Sequence, residues 1–261
     1  MHEILSRLDE RARVLDLGSG AGSFPPGATR ARVIRVDAER PGTAPGNFVL
    51  ADAARLPFLD TSFDAIVSNH SLEHIADLAG AVGEMRRVLR PDGYLYIAVP
   101  DASTLADRVY RWLGRGGGHL NAFTRAGDVP RLFGAGKPAA TRLLYASFSF
   151  LNRKNFRTRA PRRLLLVGNG SEALLRAGTW LLRKLDAALG TRWSVYGWAY
   201  YFGEFPEGAP ETEAAKNVCI RCGSGHPEAW LEARGAVERR WFGPARYACP
   251  ACGTRNYFVD R

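Results

Sequence analysis

Short apolar runs that close on an acid or a glycine set the rhythm of the first hundred residues. Val14-Leu15-Asp16-Leu17 runs into Gly18-Ser19-Gly20-Ala21-Gly22, and Arg32-Val33-Ile34-Arg35-Val36-Asp37 repeats the theme. Phe48 to Asp52, Phe63 to Asn69 and Gly93 to Pro100 complete five predicted strands. Between the last two, Leu78, Val82, Met85, Val88 and Leu89 fall at helical spacing, which predicts a helix within Leu72 to Leu89, stopped by the turn signal Arg90-Pro91-Asp92-Gly93. Strands that alternate with helices predict a parallel sheet.

Two of the connections are too short for the usual crossover helix. Ten residues separate Gly22 from Val33 and include Pro25-Pro26-Gly27, and the link from Asp37 to Phe48 holds Pro41, Gly42, Pro45 and Gly46. Helices there are expected to be vestigial or missing, leaving the sheet thinly covered on one face.

Beyond residue 105 basic and aromatic residues interleave, and Gly114 to Gly118 predicts a flexible loop. Ser171 to Leu189 is the clearest helix, with Leu174, Gly178, Leu181, Leu182, Leu185 and Leu189 expected along its buried face and Gly190 as its stop. Glu207 to Ala215, rich in Pro, Glu, Ala and Gly, predicts a linker into the last segment. There is no internal repeat.

The 261 residues are 46% apolar and 24% charged, which excludes collagen, coiled coil and wholesale disorder. No uncharged apolar run approaches the length of a membrane span, and Met1 to Arg13 carries too much charge for a secretory signal, so a cytoplasmic protein is expected. The net charge of +10 is unevenly placed: residues 1–105 carry 11 basic and 14 acidic side chains, residues 106–206 carry 17 and 5, and residues 207–261 carry 8 and 7. The excess therefore sits in the middle segment, most densely in Arg153 to Arg163, and points to an anionic partner.

All 4 cysteines lie at the C-terminal end as Cys219-x-x-Cys222-Gly223 and Cys249-x-x-Cys252-Gly253, with 26 residues between the pairs. Two such knuckles predict one tetrahedral Zn²⁺ held by four thiolates, a closed structural site in a small ribbon filled by Trp230, Val237, Trp241, Phe242 and Tyr247.

Asp16-x-Gly18-x-Gly20-x-Gly22 directly after a strand lets the backbone approach a ligand closely, because glycine lacks Cβ and accepts positive φ. Alone it is weak. Asp37, 21 residues after Asp16, closes the second strand where it can accept both ribose hydroxyls of an adenosine, and Asp52-Ala53 closes the third, where an adenine ring would lie. A nicotinamide dehydrogenase uses a similar turn but rests its pyrophosphate on a helix N-terminus, which Pro25-Pro26 breaks here.

These stretches, with Asp52 to Phe58, Ser62 to Ile75 and Arg87 to Gly93, resemble the type 11 branch of class I S-adenosylmethionine-dependent methyltransferases over roughly residues 12–125. The resemblance implies a Rossmann-like α/β fold: a mostly parallel sheet with shortened early crossovers, a basic helical and aromatic insertion, and the zinc ribbon. It divides the chain into a cofactor-binding core (1–125), an acceptor-side region (126–206) and the linker with its ribbon (207–261). It implies that Asp16, Gly18, Ser19, Gly20 and Gly22 cradle the methionine end, that Asp37 binds ribose, that Asp52 and Ala53 frame adenine, and that Asn69 and His70 border the sulfonium. Leu56, Phe58 and Leu59 are expected to be packing residues. The long helix that follows the glycine turn in the family, and most of its N-terminal cap, are expected to be missing.

Methyl transfer from a sulfonium needs alignment of the acceptor and, for a hydroxyl or amine, a base. His70 and His119 are the expected candidates, with His74 more naturally a helix-packing or capping residue. Tyr200, Tyr201 and Glu204 either wall the acceptor pocket or belong to an aromatic strand packed on the sheet. The acceptor expected first is a small molecule or glycan, anionic, such as a nucleotide sugar. The alternatives are ribosomal or transfer RNA reached through the basic segment and ribbon, and a non-catalytic zinc-bearing scaffold; peripheral docking of the Ser171 to Leu189 helix on an anionic membrane is a further idea.

Overall fold

Val14, Leu15 and Leu17 are fully buried because β1 (Arg13–Leu17) has a neighbour on each side. In the computed structural model β1 pairs in parallel with β2 (Arg32–Asp37) on one edge and with β4 (Phe63–Asn69) on the other, and β2 continues to β3 (Phe48–Leu50). The described residues are 1–42, 47–113, 118–134, 137–155, 164, 168–210 and 212–260. Residues 114–117 of the predicted glycine loop, 156–163 of the basic run, 43–46 of the Asp37 to Phe48 link and residue 211 of the linker lie outside them.

β5 (Leu89–Pro100) runs parallel to β4, and β7 (Val195–Phe202) and β6 (Ala140–Tyr145) complete a sheet of seven strands in the order β3-β2-β1-β4-β5-β7-β6. The fold is therefore a Rossmann-like, mostly parallel α/β sheet. The predicted Arg90 to Gly93 turn is an irregularity inside β5: Phe63 pairs with Leu89 and Ala65 with Tyr94, so four residues of β5 bulge opposite one of β4.

The early crossovers are as bare as expected. Among the described residues, 18–31 and 38–47 contain neither helix nor strand, and Val33 and Ile34 of β2 are only half-buried. The predicted Leu72 to Leu89 helix is split, because Asp77 accepts a hydrogen bond from Gly80 N at 2.9 Å and starts a fresh helix. A 3-10 turn (Leu72–His74) precedes it, and α1 (Leu78–Val88) buries Ala81, Val82, Met85 and Val88. Of the three predicted packing residues, Leu56 is buried and Phe58 meets Phe63 edge-on, but Leu59 is 83% exposed.

The chain divides into two compact units. The first comprises Met1–Asp101, Gly118–Arg142 and Trp198–Thr212 and holds strands β1 to β5. The second comprises Ala102–Gly117, Leu143–Gly197 and Glu213–Arg261. Its core gathers Ala106, Ala146, Phe148, Leu151, Leu164, Leu175 and Ile220. Its long helix, α2 (Glu172–Leu189), ends at Gly190 with φ 65° as predicted, but of the predicted stripe Leu182 packs against the core while the fully buried positions are others. Leu175, Thr179 and Arg183 are buried, while Leu174, Leu181 and Leu189 are exposed. Arg183 is tolerated inside because its Nη2 donates to the Ala146 carbonyl at 2.9 Å and its guanidinium lies over the Tyr145 ring.

The C-terminal segment of this unit is built of short ribbons, β8 (Asn217–Val218) with β9 (Gly225–His226), and β10 (Val237–Glu238), β11 (Arg246–Ala248) and β12 (Arg255–Tyr257), all antiparallel. Tyr247, Leu231 and Phe258 fill it together with Cys219 and Cys249. Trp241 and Phe242, expected in the filling, are 98% and 89% exposed. Among the described residues no helix is long and apolar enough to cross a membrane.

Candidate active site and cysteine cluster

The chain steps outward from β1 to β2 and β3, then returns to the other side of β1 for β4 and β5, so the sheet has its switch point between β1 and β4. In such sheets the crevice beyond the carboxyl ends of the strands at that point is the natural ligand site. The glycine turn emerges there. Gly18 N and Ser19 N donate to the Val36 carbonyl at 2.8 and 3.0 Å, and Gly20 N donates to Asp37 Oδ2 at 2.7 Å. Gly18 has φ 67°, and a Cβ on it would lie 2.2 Å from Ser71 Cβ. No other residue fits. Ser71, whose hydroxyl donates to the Leu17 carbonyl at 3.0 Å and contacts Ser68 Oγ at 2.6 Å, ties the turn to the end of β4 and was not singled out by sequence.

The three acids stand at the ends of three adjacent strands. Asp16 is fully buried; Oδ2 accepts from Ser23 N at 3.1 Å and lies 3.6 Å from Arg35 Nε, while Oδ1 has no hydrogen-bond partner. Burial pushes its pKa up, against the opposing bond from Ser23 and the charge of Arg35. Asp37 accepts from Glu39 N at 3.1 Å as well as from Gly20 N, and Asp52 accepts from Ala54 N at 2.9 Å. Ala53 is half-buried. Arg35 was missed by sequence, although Asp16 and Arg35 are register partners across β1 and β2.

Asn69 closes β4, and His70 follows it with φ 56°, held by its N–H on the Ala98 carbonyl at 2.9 Å. Burial, with His119 and His74 nearby, lowers the His70 pKa to about 4. His70 Nδ1 lies 3.8 Å and His74 Nε2 4.0 Å from Glu73 Oε1, whose side chain is 2% exposed. The rings of His74 and His119 meet edge-on at 4.9 Å. Sequence did not group Glu73 and His74 with His119, which is 45 residues further along.

Tyr200 and Tyr201 are buried in β7, within the sheet and not packed on it, and as successive strand residues they face opposite sides. Tyr201 Oη accepts from Arg142 Nη1 at 3.1 Å and donates to Glu3 Oε2 at 3.2 Å. Glu204 is exposed beyond the strand.

The sulfurs of Cys219, Cys222, Cys249 and Cys252 all lie within 4.8 Å of one another. Cys219 to Cys252 and Cys222 to Cys249 are each 3.6 Å apart, far beyond a disulfide at about 2.05 Å. Four thiolates at about 2.3 Å from one tetrahedral ion would be separated by about 3.8 Å, so the cluster fits Zn²⁺. Arg221 N donates to Cys219 Sγ at 3.4 Å and Asn256 Nδ2 at 3.6 Å, the outer contacts that such a site uses. Burial pushes the thiols of Cys219 and Cys249 up, a shift that a cation held between the sulfurs would oppose.

Residues 15–97, from β1 into β5, match the family model described as "Methyltransferase domain". Malonyl-[acyl-carrier protein] O-methyltransferase of Methylococcus capsulatus is 34% identical over 133 residues, covering 45% of this chain and 48% of that protein. Demethylmenaquinone methyltransferase of Thermobifida fusca is 39% identical over 98 residues, 32% of this chain and 42% of that protein. The chain thus spans about half or less of the length of these curated relatives. A SAM dependent methyltransferase from Archaeoglobus fulgidus superposes with TM-score 0.48 at 18% identity, covering 73% of this chain and 85% of that one. The matched stretch 15–97 contains Asp16, the glycine turn, Asp37, Asp52, Asn69 and His70.

Proposed function

We propose that this chain transfers a methyl group from S-adenosylmethionine to a small-molecule or glycan acceptor, anionic in character. The observation that carries the reading is the buried Asp16 Oδ1, which lacks a donor beside a glycine-rich turn at the switch point. An unmet buried acceptor costs about 1–3 kcal/mol, and a ligand ammonium relieves it. When bound, the cofactor supplies a methyl group made electrophilic by its sulfonium.

The protein's part is to bind and orient. Each Asp37 oxygen uses one lone pair on a backbone N–H and keeps another for a ribose hydroxyl. Asp52 Oδ1 is occupied by Ala54 N, which leaves Oδ2 for the adenine amine, with Ala53 against the ring. Gly18, Ser19, Gly20 and Gly22 allow close approach of the methionine end, and Asn69 and His70 flank the methyl-bearing sulfur. His119 and His70 are the proton acceptors for a hydroxyl or amine. This reading keeps the cofactor-binding core in 1–125, the acceptor-side region in 126–206, and the linker with its Zn²⁺ ribbon in 207–261, the metal being structural because all four ligands would be protein thiolates. The family match and the printed names of both relatives support methyl transfer, and the +12 balance of residues 106–206 supports an anionic acceptor.

Calorimetry with S-adenosylhomocysteine tests this. Binding is expected, and Asp37→Ala should weaken it about 10- to 100-fold, the value of one or two hydrogen bonds to a charged group at about 1.5–3 kcal/mol. Absence of binding to the unaltered protein would leave only a scaffold role.

A further inference from the structure

Three of the chain's 5 histidines gather around one buried carboxylate beside the end of β4. His74 Nδ1 lies 3.0 Å from the Gly118 carbonyl. A carbonyl only accepts, so Nδ1 carries a hydrogen, and in the neutral ring Nε2 keeps its lone pair. That lone pair faces Glu73 Oε1 at 4.0 Å, beyond hydrogen-bond length, and the two groups are both acceptors. A backbone contact that fixes the tautomer and turns the other nitrogen toward a carboxylate is the arrangement of a metal-binding histidine.

The third group is held on the same body. Leu120 N and Asn121 N donate to the Glu73 carbonyl at 2.7 and 3.0 Å, and Asn121 Nδ2 donates to the carbonyls of Leu72 at 2.9 Å and Ile75 at 2.7 Å. These bonds strap the loop that carries His119 onto the 3-10 turn that carries Glu73 and His74. One ligand atom from each of the three residues then lies within 4.8 Å of the other two. Around an ion with ligands at about 2.1 Å, ligand atoms stand about 3.0 to 4.2 Å apart, so a small rotation of half-exposed His119 closes the set.

We propose that Glu73, His74 and His119 bind one divalent transition-metal ion, with its remaining positions open to a ligand. Two imidazoles and one carboxylate suit manganese, iron, cobalt or zinc better than the oxygen-seeking magnesium or calcium. If methyl transfer is the activity, the open positions take an acceptor oxygen, and the proton-accepting role is left to His70. The ion site itself does not depend on that reading.

Mn²⁺ is the probe, because it prefers nitrogen and oxygen ligands and leaves a thiolate cluster to zinc. It is titrated into the full chain, zinc-replete and without cofactor, and followed by loss of the free Mn²⁺ resonance signal and by calorimetry. One saturable Mn²⁺ per chain is expected. His119→Ala and His74→Ala should each weaken it at least tenfold with an unchanged circular dichroism spectrum, and the remote His2→Gln should not. No saturable binding, or binding untouched by both variants, overturns the proposal. S-adenosylhomocysteine is titrated into the same samples. Cofactor binding without Mn²⁺ binding removes the ion alone, and the reverse removes the methyltransferase reading alone.

Discussion

Replacing Gly18 by alanine probes the joint between the glycine turn and β4. The new Cβ would lie 2.2 Å from Ser71 Cβ and 2.9 Å from Ser71 Oγ, in a backbone at φ 67°. The left-handed conformation costs about 1 kcal/mol for a residue with a Cβ. The overlap adds about 2 kcal/mol, because Ser71 is pinned to the Leu17 carbonyl and Ser68 and cannot swing away. A total of about 3 kcal/mol lowers the melting temperature by roughly 6–12 °C for a chain of this size. Gly20→Ala is the internal control, since φ is 48° but nothing lies within 4 Å of its Cβ, and about 1 kcal/mol or roughly 2–4 °C is expected. Thermal melts of Gly18→Ala, Ser71→Gly and the double variant form a cycle. Removing the Ser71 side chain relieves the overlap, so the double variant should be about 1–2 kcal/mol better than the sum of the singles. Additive losses, or equal losses for Gly18→Ala and Gly20→Ala, would refute the close approach.

Two further outcomes follow from the second unit. Strong chelation should release one zinc per chain and raise amide exchange across residues 217–260, where Tyr247, Leu231 and Phe258 have little core without it, while β1 to β5 stay protected; zinc-free protein with an unchanged exchange pattern would contradict this. Burial raises the pKa of Asp186, but bonds from Ser194, Thr191 and Trp193 N outweigh it and leave the carboxyl below its ordinary value. A depressed carboxylate pKa stabilises the fold above the unfolded pKa of about 3.9 and stops doing so as pH falls through the folded value. Asp186→Asn should therefore be less stable than the unaltered protein from pH 5 to 8, with the gap closing below pH 4. A gap that persists into stronger acid would contradict the sign.

The glycine turn and its three acids were legible because strand ends and φ-permissive residues are local features of the chain. The face of α2 was not. Leucine spacing selects Leu174, Leu181 and Leu189, but the buried side is fixed by contacts a helical pattern does not contain, such as the Ala146 carbonyl that accepts from Arg183. Leu59 misled for the same reason, an apolar residue left outside at 83% exposure. Arg35 was not legible either, since aligning β1 with β2 by their terminal acids would set Asp37 opposite Asp16, whereas the register is shifted by two residues and sets Arg35 there. The Glu73, His74 and His119 cluster was hidden too, because the distant loop is brought home by tertiary hydrogen bonds, those of Leu120 N and Asn121 N to the Glu73 carbonyl and of Asn121 Nδ2 to the Leu72 and Ile75 carbonyls.

Amide hydrogen exchange with and without S-adenosylhomocysteine tests most directly whether an adenosyl ligand sits at the switch point. Protection is predicted in three separate stretches at once: Gly18 to Gly22, Asp37 to Glu39, and Ala51 to Ala54. Protection confined elsewhere, or none at saturating ligand, would contradict it.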